Sequence, residues 1–343
     1  MDPLKFGIIG CSRIAKRSVI PAIIKSEYAE LEIIGSRGPG KAKEFAKEFN
    51  CEKFGTYEDV ISDDSVDAVY ISTPIGTHAE LSNKATAAGK HVYVEKSSTY
   101  FLNYAKEMVE TAKQNNVRLM EGFMFRFHPQ HQKVKELINE NKIGDIVTFN
   151  GSFGFPSFPE GDIRYSDLRG GGFLNDSGCY PICASRMILD EEPISVGCRL
   201  QYIQVNGITD SVDVKGTSFL IYENNKSASI TFGNGNYYQA KYEVWGTNGI
   251  ISADRAYSVP SDFTTKISLQ YNTANNWESR RNDTFEIQPK DHFLEILDTF
   301  CMEITGMKNA PYNFEDELLK QAKVMEAHRR SSDTGKQVFL SEL

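Results

Sequence analysis

The apolar positions of the first 125 residues fall into short runs separated by amphipathic stretches. Residues 5–10 read as a strand and 13–24 as a helix. Residues 31–35 form the next strand, 41–49 a helix, and 54–62 a short strand with a helical turn. Residues 66–72 end in a continuous apolar run, as expected of a parallel strand covered on both faces. A helix over 79–88 closes at Gly89-Lys90, and 91–96 is the strand that follows it. A helix over 102–115, a strand over 117–122 and a helix over 130–141 complete the series. Strands that alternate with helices in this way predict a doubly wound parallel sheet, and hence an α/β first domain over residues 1–125.

Beyond residue 143 the period changes. Residues 146–153, 195–200, 216–222, 227–232 and 240–246 alternate apolar with polar positions, and Glu223-Asn224-Asn225-Lys226 reads as a hairpin loop. This half, residues 126–343, is expected to be an α+β domain built on a large, mostly antiparallel open sheet. Such a sheet buries one face and leaves the other for a helix or a second subunit. A closing helix over 314–330 carries Leu318, Leu319, Ala322, Met325 and Ala327 at helical spacing, and is expected to pack back near the first domain.

Composition narrows the function. A chain of 343 residues that is 40% hydrophobic is long enough for two cores. A formal net charge of -8, with no block of basic residues, argues against a nucleic-acid partner. No apolar run reaches the roughly 20 residues of a membrane span, and the N-terminus lacks a signal-peptide pattern, so a cytoplasmic location is expected. The six cysteines form no framework and are read as free thiols. Cys179 with Cys183, and His128 with His131, lack the further pair that a four-ligand set requires, so no metal is expected.

Candidate chemistry lies at strand ends. The loop Gly10-Cys11-Ser12-Arg13-Ile14-Ala15 follows a dinucleotide-binding fingerprint with Ser12 in place of the second glycine, and the serine hydroxyl is available to donate to a phosphate. Taken alone, it fits a generic strand-turn-helix nearly as well. At the end of the second strand, Ser36, Arg37 and Lys41 replace the carboxylate that would bind an NAD ribose, which favours NADP over NAD. Pro74 after Thr73 sets a turn, and His78 opens a helix either as a packing residue or as a ligand-facing one. Glu95-Lys96 closes the fourth long strand, where ligands of open α/β sheets bind. In the second half, Gly170-Gly171-Gly172 leads to Asp176 and Tyr180, four residues apart, with Ser177 as a helix N-cap and Pro181 in the first turn. This pair suits proton transfer and hydroxyl binding, or equally a capping acid beside a half-buried tyrosine. Tyr165, Arg169 and Tyr238 are further pocket candidates that spacing alone does not place.

In order and spacing, the phosphate loop, Ser72-Thr73-Pro74 with His78, Glu95-Lys96, Phe125-Arg126-Phe127-His128-Pro129 and Gly171-Gly172 through Tyr180 together resemble the Gfo/Idh/MocA oxidoreductases. The likeness is greatest to the branch of dimeric dihydrodiol dehydrogenase, NADP-dependent xylose dehydrogenase and the nucleotide-sugar 3-ketoreductases. The resemblance implies a Rossmann domain and hydride transfer between a nicotinamide and a carbinol or ketone of a sugar, nucleotide sugar or related cyclic alcohol. It places Gly10, Ser12, Arg13, Ile14, Thr73, Pro74, His78, Glu95 and Arg126 at the cofactor beside Ser36, Arg37 and Lys41. Lys96 would touch the nicotinamide ribose and the reacting oxygen, Tyr180 would exchange the proton, and Asp176 would position the substrate. A ketone that receives hydride gains alkoxide character, which a phenol can protonate and an ammonium can stabilise. The resemblance also implies a homodimer or homotetramer formed through the second sheet. A non-catalytic NADP-binding regulator and an NAD-dependent glycosidase are the rival readings of the same fold. One departure concerns backbone: the family carries proline after the lysine, whereas this chain has Ser97, and a non-proline cis bond costs about 3 kcal/mol, so a trans bond is expected.

Overall fold

The computed structural model describes residues 2–166, 170–204, 211–274 and 276–343, and divides into two compact units. The first takes Met1–Met124 and also Phe293–Ala322; the second takes most of the chain between them and closes with Lys323–Leu343.

Among the described residues the first unit holds a six-stranded parallel sheet. Its strands are β1 (Leu4–Ile9), β2 (Ala29–Gly35), β3 (Lys53–Gly55), β4 (Ala68–Ile71), β5 (His91–Glu95) and β6 (Leu119–Gly122), in the spatial order β3-β2-β1-β4-β5-β6. This is a Rossmann arrangement. The chain runs outward from β1 to β3 on one side and from β4 to β6 on the other, so the switch point lies between β1 and β4, at the carboxyl ends of the strands. β1, β4 and β5 are buried along nearly their whole length, which explains their continuous apolar runs. The connecting helices are α1 (Ile20–Lys25), which continues a π-helical turn at Ala15–Val19, α2 (Pro39–Glu48), α3 (Tyr57–Ser62), α4 (His78–Ala87) and α5 (Leu102–Gln114). Thr56 and Asp59 form a reciprocal capping box that starts α3. α2 and α5 are each followed by a left-handed asparagine, Asn50 and Asn116, and α4 by Gly89.

The second unit opens with α6 (Pro129–Asn139), whose N-cap His128 accepts from the Gln130 N–H. A nine-stranded sheet follows among the described residues, in the order β14-β13-β12-β11-β7-β10-β9-β8-β15. The chain-order ranges are β7 (Ile146–Phe155), α7 (Cys179–Leu189), β8 (Ser195–Gln204), β9 (Ser211–Ile221), β10 (Ser227–Asn234), β11 (Gln239–Gly246), β12 (Gly249–Ala253), β13 (Thr265–Asn272), β14 (Arg280–Ile287), then α8 (His292–Ile304), which from Phe293 belongs to the first unit, α9 (Phe314–Thr334), whose residues to Ala322 belong to the first unit and the rest to the second, and β15 (Val338–Phe339). Every pairing is antiparallel except β7 with β10. α7 is buried at all of its positions, and Pro181 lies against Gly151 of β7 where even a methyl group would collide. The Glu223–Asn225 turn joins β9 to β10 with Asn224 and Asn225 both left-handed, as expected of a hairpin loop.

Three expectations change. β12, β13, β14, β15 and α8 have no counterpart in the sequence reading; β14 is polar and exposed almost throughout and offers no alternation, whereas β13 does alternate and was missed. Ser177 does not cap a helix: helical structure starts earlier, with a π-helical turn at Leu174–Gly178, and the Ser177 hydroxyl donates to the Phe173 carbonyl at 3.0 Å. The split at residue 126 differs from the two compact units, because Phe293–Ala322, which includes the start of the closing helix expected to pack back near the first domain, returns to the first unit. That return is driven by packing and charge: Phe300 meets Tyr93 at 6.2 Å, Ser26 donates to Asp298 at 2.5 Å, and Arg118 pairs with Glu303 and with Glu315.

Candidate active site

The first unit presents its candidate residues at the carboxyl ends of β1, β2, β4 and β5. Gly10 has φ 110°, and a side chain there would meet the Ser72 backbone at 3.1 Å, so the turn after β1 requires glycine. The Ser12 hydroxyl is already committed: it donates to Ser72 Oγ at 2.8 Å and accepts from the Ala15 N–H at 3.0 Å. Ser72 passes its own proton to the Gly10 carbonyl at 2.9 Å. Ser12 therefore closes the loop and caps its helix, and its proton is not directed outward as expected for phosphate binding. Arg13 is exposed and Ile14 half-buried beside it.

At the end of β2, Ser36 is buried and its N–H donates to Gly55 O at 3.0 Å. Arg37 is exposed and interacts with the Tyr57 phenol, whose pKa burial raises and the guanidinium draws back down. Lys41 is exposed, with its ammonium 5.9 Å from the Phe45 ring centre. No carboxylate stands at 36 or 37, so two cations flank the place where a ribose 2′-phosphate would lie. This donor set fits NADP.

Thr73 accepts from the Thr77 hydroxyl at 2.8 Å, and Pro74 starts the turn into α4. His78 is buried, with Nδ1 3.0 Å from Ser97 O and Nε2 2.8 Å from Thr73 O. Both nitrogens face backbone carbonyls, and the ring, whose pKa burial pushes down to about 4, is neutral and donates to one of them at a time. His78 is thus a neutral strut between the Thr73-Pro74 turn and the segment after Lys96. Glu95 is held within the fold, accepts from the Tyr70 phenol at 2.7 Å, and has its pKa raised by burial. Lys96 is half-buried. The Lys96–Ser97 peptide is cis, in contrast to the trans bond expected of a serine, and its surroundings specify the segment: Ser97 O meets His78, and the Ser98 N–H donates to buried Glu121 at 2.6 Å.

In the second unit, Tyr180 sits in the first turn of α7 and is 6% exposed, more buried than the half-buried side chain expected. Phe125, Phe153 and Tyr257 surround its ring at 5.7, 5.1 and 5.9 Å. This aromatic wall fixes the phenol and keeps water from its flanks. Asp176, one turn earlier, accepts from Arg164 Nε at 2.8 Å, and Arg164 also donates to Asp162 at 3.0 Å and lies 4.2 Å from the centre of the Phe158 ring. Arg126 belongs to this unit, where Nη1 lies 3.7 Å from Cys183 Sγ. Tyr165 accepts from Asn234 at 2.7 Å and donates to Phe158 O, while Tyr238 is partly exposed beneath the Arg255 guanidinium. Arg169 lies outside the described residues. Sequence spacing missed Arg164, Glu121 and Asp213; each acts through contacts 12 or more residues away, and none belongs to a local motif.

Among the described residues all six cysteines are free thiols, and no group of three or more His, Cys, Asp or Glu is arranged to hold a metal. No described helix is long and apolar enough to cross a membrane.

A parallel nucleotide-binding sheet with a glycine turn at its switch point, and a second unit in which a mostly antiparallel open sheet packs a helix bearing a buried tyrosine, define a two-part oxidoreductase. Residues 4–123 match the family model described as "Oxidoreductase family, NAD-binding Rossmann fold", and residues 131–252 match the GFO/IDH/MocA C-terminal domain. The chain belongs to the Gfo/Idh/MocA oxidoreductase family. It is 32% identical to a dTDP-3,4-didehydro-2,6-dideoxy-alpha-D-glucose 3-reductase of Actinomadura kijaniata, over 96% of this chain and 95% of that one. It is 31% identical to D-xylose 1-dehydrogenase (NADP(+)) 2 of Haloferax volcanii, over 98% of this chain and 100% of that one. The crystal structure of a 3-ketoreductase from Actinomadura kijaniata, in complex with NADP and TDP-benzene, superposes with TM-score 0.89 at 32% identity, covering 96% of this chain and 98% of that one.

Proposed function

We propose that the protein is an NADP(H)-dependent reductase of a ketone on a sugar, with a nucleotide-linked sugar as the favoured substrate class. The observation that carries the reading is Tyr180, a buried phenol held by aromatic rings in the first turn of α7, one turn after an ionic Asp176. The similarity to a dTDP-ketosugar 3-reductase along the whole chain supports it, as does the basic end of β2. When bound, the cofactor supplies hydride to the carbonyl carbon. The Tyr180 phenol then gives its proton to the oxygen, and the Lys96 ammonium stabilises negative charge as it develops there. Asp176 accepts from a substrate hydroxyl and is kept oriented by Arg164. Gly10 allows the close approach of a pyrophosphate, and Arg37 and Lys41 hold the 2′-phosphate.

The outer face of the second sheet is the surface we propose for self-association, as a homodimer or homotetramer. Phe219 and Trp245 stand on that face 48% and 46% exposed.

The test of the activity is loss of NADPH absorbance with a panel of dTDP- and UDP-linked ketosugars beside free ketosugars and sugars. Turnover confined to the ketosugars is expected. A protein that binds NADPH tightly yet reduces none of them, and oxidises no sugar with NADP, is not this enzyme.

A further inference from the structure

We propose that Asp213 is a positioning residue of the reduction, holding from β9 the start of the helical segment that carries Asp176 and Tyr180. The inference rests on the role given above to those two residues. Asp213 is 7% exposed, and no step of the reaction uses it. Its Oδ2 accepts from the Leu174 N–H at 2.6 Å, and the Phe173 N–H also bonds to the carboxyl. These amides open the Leu174–Gly178 turn, where a helix has donors without partners inside the helix. The acid thus acts as an N-terminal cap supplied from a strand about 40 residues further along the chain.

The neighbouring glycine shows how closely the carboxyl is fitted. Gly172 has φ +94°, and a Cβ there would stand 2.1 Å from Asp213 Oδ1, so the turn can wrap the acid only with glycine at this position. The rest of the turn is tied to the same anchor. The Asp176 N–H donates to Gly172 O at 3.2 Å, Asn175 Nδ2 to Gly171 O at 3.1 Å, and Arg329 of α9 to Asn175 Oδ1 at 2.5 Å. Burial raises the Asp213 pKa to about 6, while the two amides and Arg329 oppose that rise. Cys198 on β8 faces the same acid and has its own pKa pushed up, by burial first and by Asp213 second. Above pH 6 the carboxylate accepts from both amides as an anion, and charge-assisted bonds are the stronger ones.

The test compares Asp213→Asn and Asp213→Ala with the parent. NADPH affinity should stay unchanged, because the cofactor residues of the first unit make no use of Asp213. The maximal rate should fall about tenfold in the asparagine variant and further in the alanine variant, since small misplacements of reacting groups are costly. Per folded molecule, with the folded fraction measured at each pH by tryptophan fluorescence, the parent's kcat should decline below pH 6 and that of the asparagine variant should not, a difference that simple loss of stability does not produce. Amide exchange at Phe173 and Leu174, measured without substrate, should quicken about tenfold in the asparagine variant. Exchange at the parental rate, or a kcat that falls only in proportion to the folded fraction, overturns the inference. If the parent reduces no ketosugar, the functional reading fails, and the exchange rates still decide whether Asp213 holds the turn.

Discussion

Mild acid should unfold the second unit before the first. Its four histidines, His128, His131, His292 and His328, are all within 2% of full burial. Burial is the leading cause that lowers their pKa values, to about 4, 3, 3 and 4 respectively. In an unfolded chain each titrates near 6.5, so each contributes stability that is complete above that pH and is lost as the pH falls from 6.5 toward 4. Between pH 7 and pH 5 one such group forfeits about 2 kcal/mol, and four together about 7 kcal/mol. Asp213 works in the opposite direction. Its raised pKa favours the folded state below pH 6 and returns about 1 kcal/mol over the same interval. The net loss of about 6 kcal/mol is comparable with the whole stability of a domain. Among the described residues of the first unit the histidines with lowered values are His78 and His91, opposed by the raised pKa of Glu95, while its lowered carboxyls Glu32, Asp59, Asp63 and Glu303 give up their contribution mainly below pH 5, so this unit should lose far less. Both tryptophans, Trp245 and Trp277, lie in the second unit, so their fluorescence reports it alone. With a slope of about 2 kcal/mol per molar urea, the fluorescence midpoint should drop by about 3 M between pH 7 and pH 5. Coincident midpoints at the two pH values would refute the reasoning.

Four further outcomes are expected. Tyr180→Phe should lower kcat by about two to four orders of magnitude while NADPH binding, followed by titration, is unchanged; normal turnover would remove Tyr180 from the chemistry. Arg37→Ala should weaken NADPH binding by about tenfold or more and leave NADH binding unaltered, and equal losses for both would displace the 2′-phosphate from this site. Arg118→Met strands Glu303 and Glu315 in a partly buried setting and should cost the first unit about 3 kcal/mol in urea unfolding. Phe219→Glu should shift the sedimentation coefficient toward that of a monomer if the outer sheet face joins subunits; an unchanged coefficient places the interface elsewhere.

Local chemistry made the first sheet legible. Buried parallel strands are apolar throughout, and Gly10 and Gly89 mark their connections. The second sheet was legible only where strands alternate, as in β9 and β10, and its parallel β7–β10 pair has no sequence signal because the partners are about 80 residues apart. Among the proposed site residues, Lys96, Asp176 and Tyr180 stood out through ordered spacing. What spacing cannot show is which group holds them. Arg164 reaches Asp176 from a loop, Glu121 meets Ser98 from a neighbouring strand, and Ser12 turned inward because Ser72 lies 2.8 Å away. The cis peptide before Ser97 was likewise hidden, since local preference points to trans and the tertiary surroundings decide otherwise.

The return of Phe293–Ala322 to the first unit has a consequence for synthesis. A chain emerging from the ribosome can form β1 to β6 early, but the ring of Phe300 that covers Tyr93, and the acids that neutralise Arg118, arrive only after the whole intervening second sheet has been made. At typical elongation rates of about 5–20 residues per second, the nascent nucleotide-binding half waits on the order of ten seconds or more with that flank uncovered. During that interval the uncovered apolar flank is the kind of surface that chaperones bind. A stop codon near residue 290 would release a protein with its cofactor loop intact and its core open.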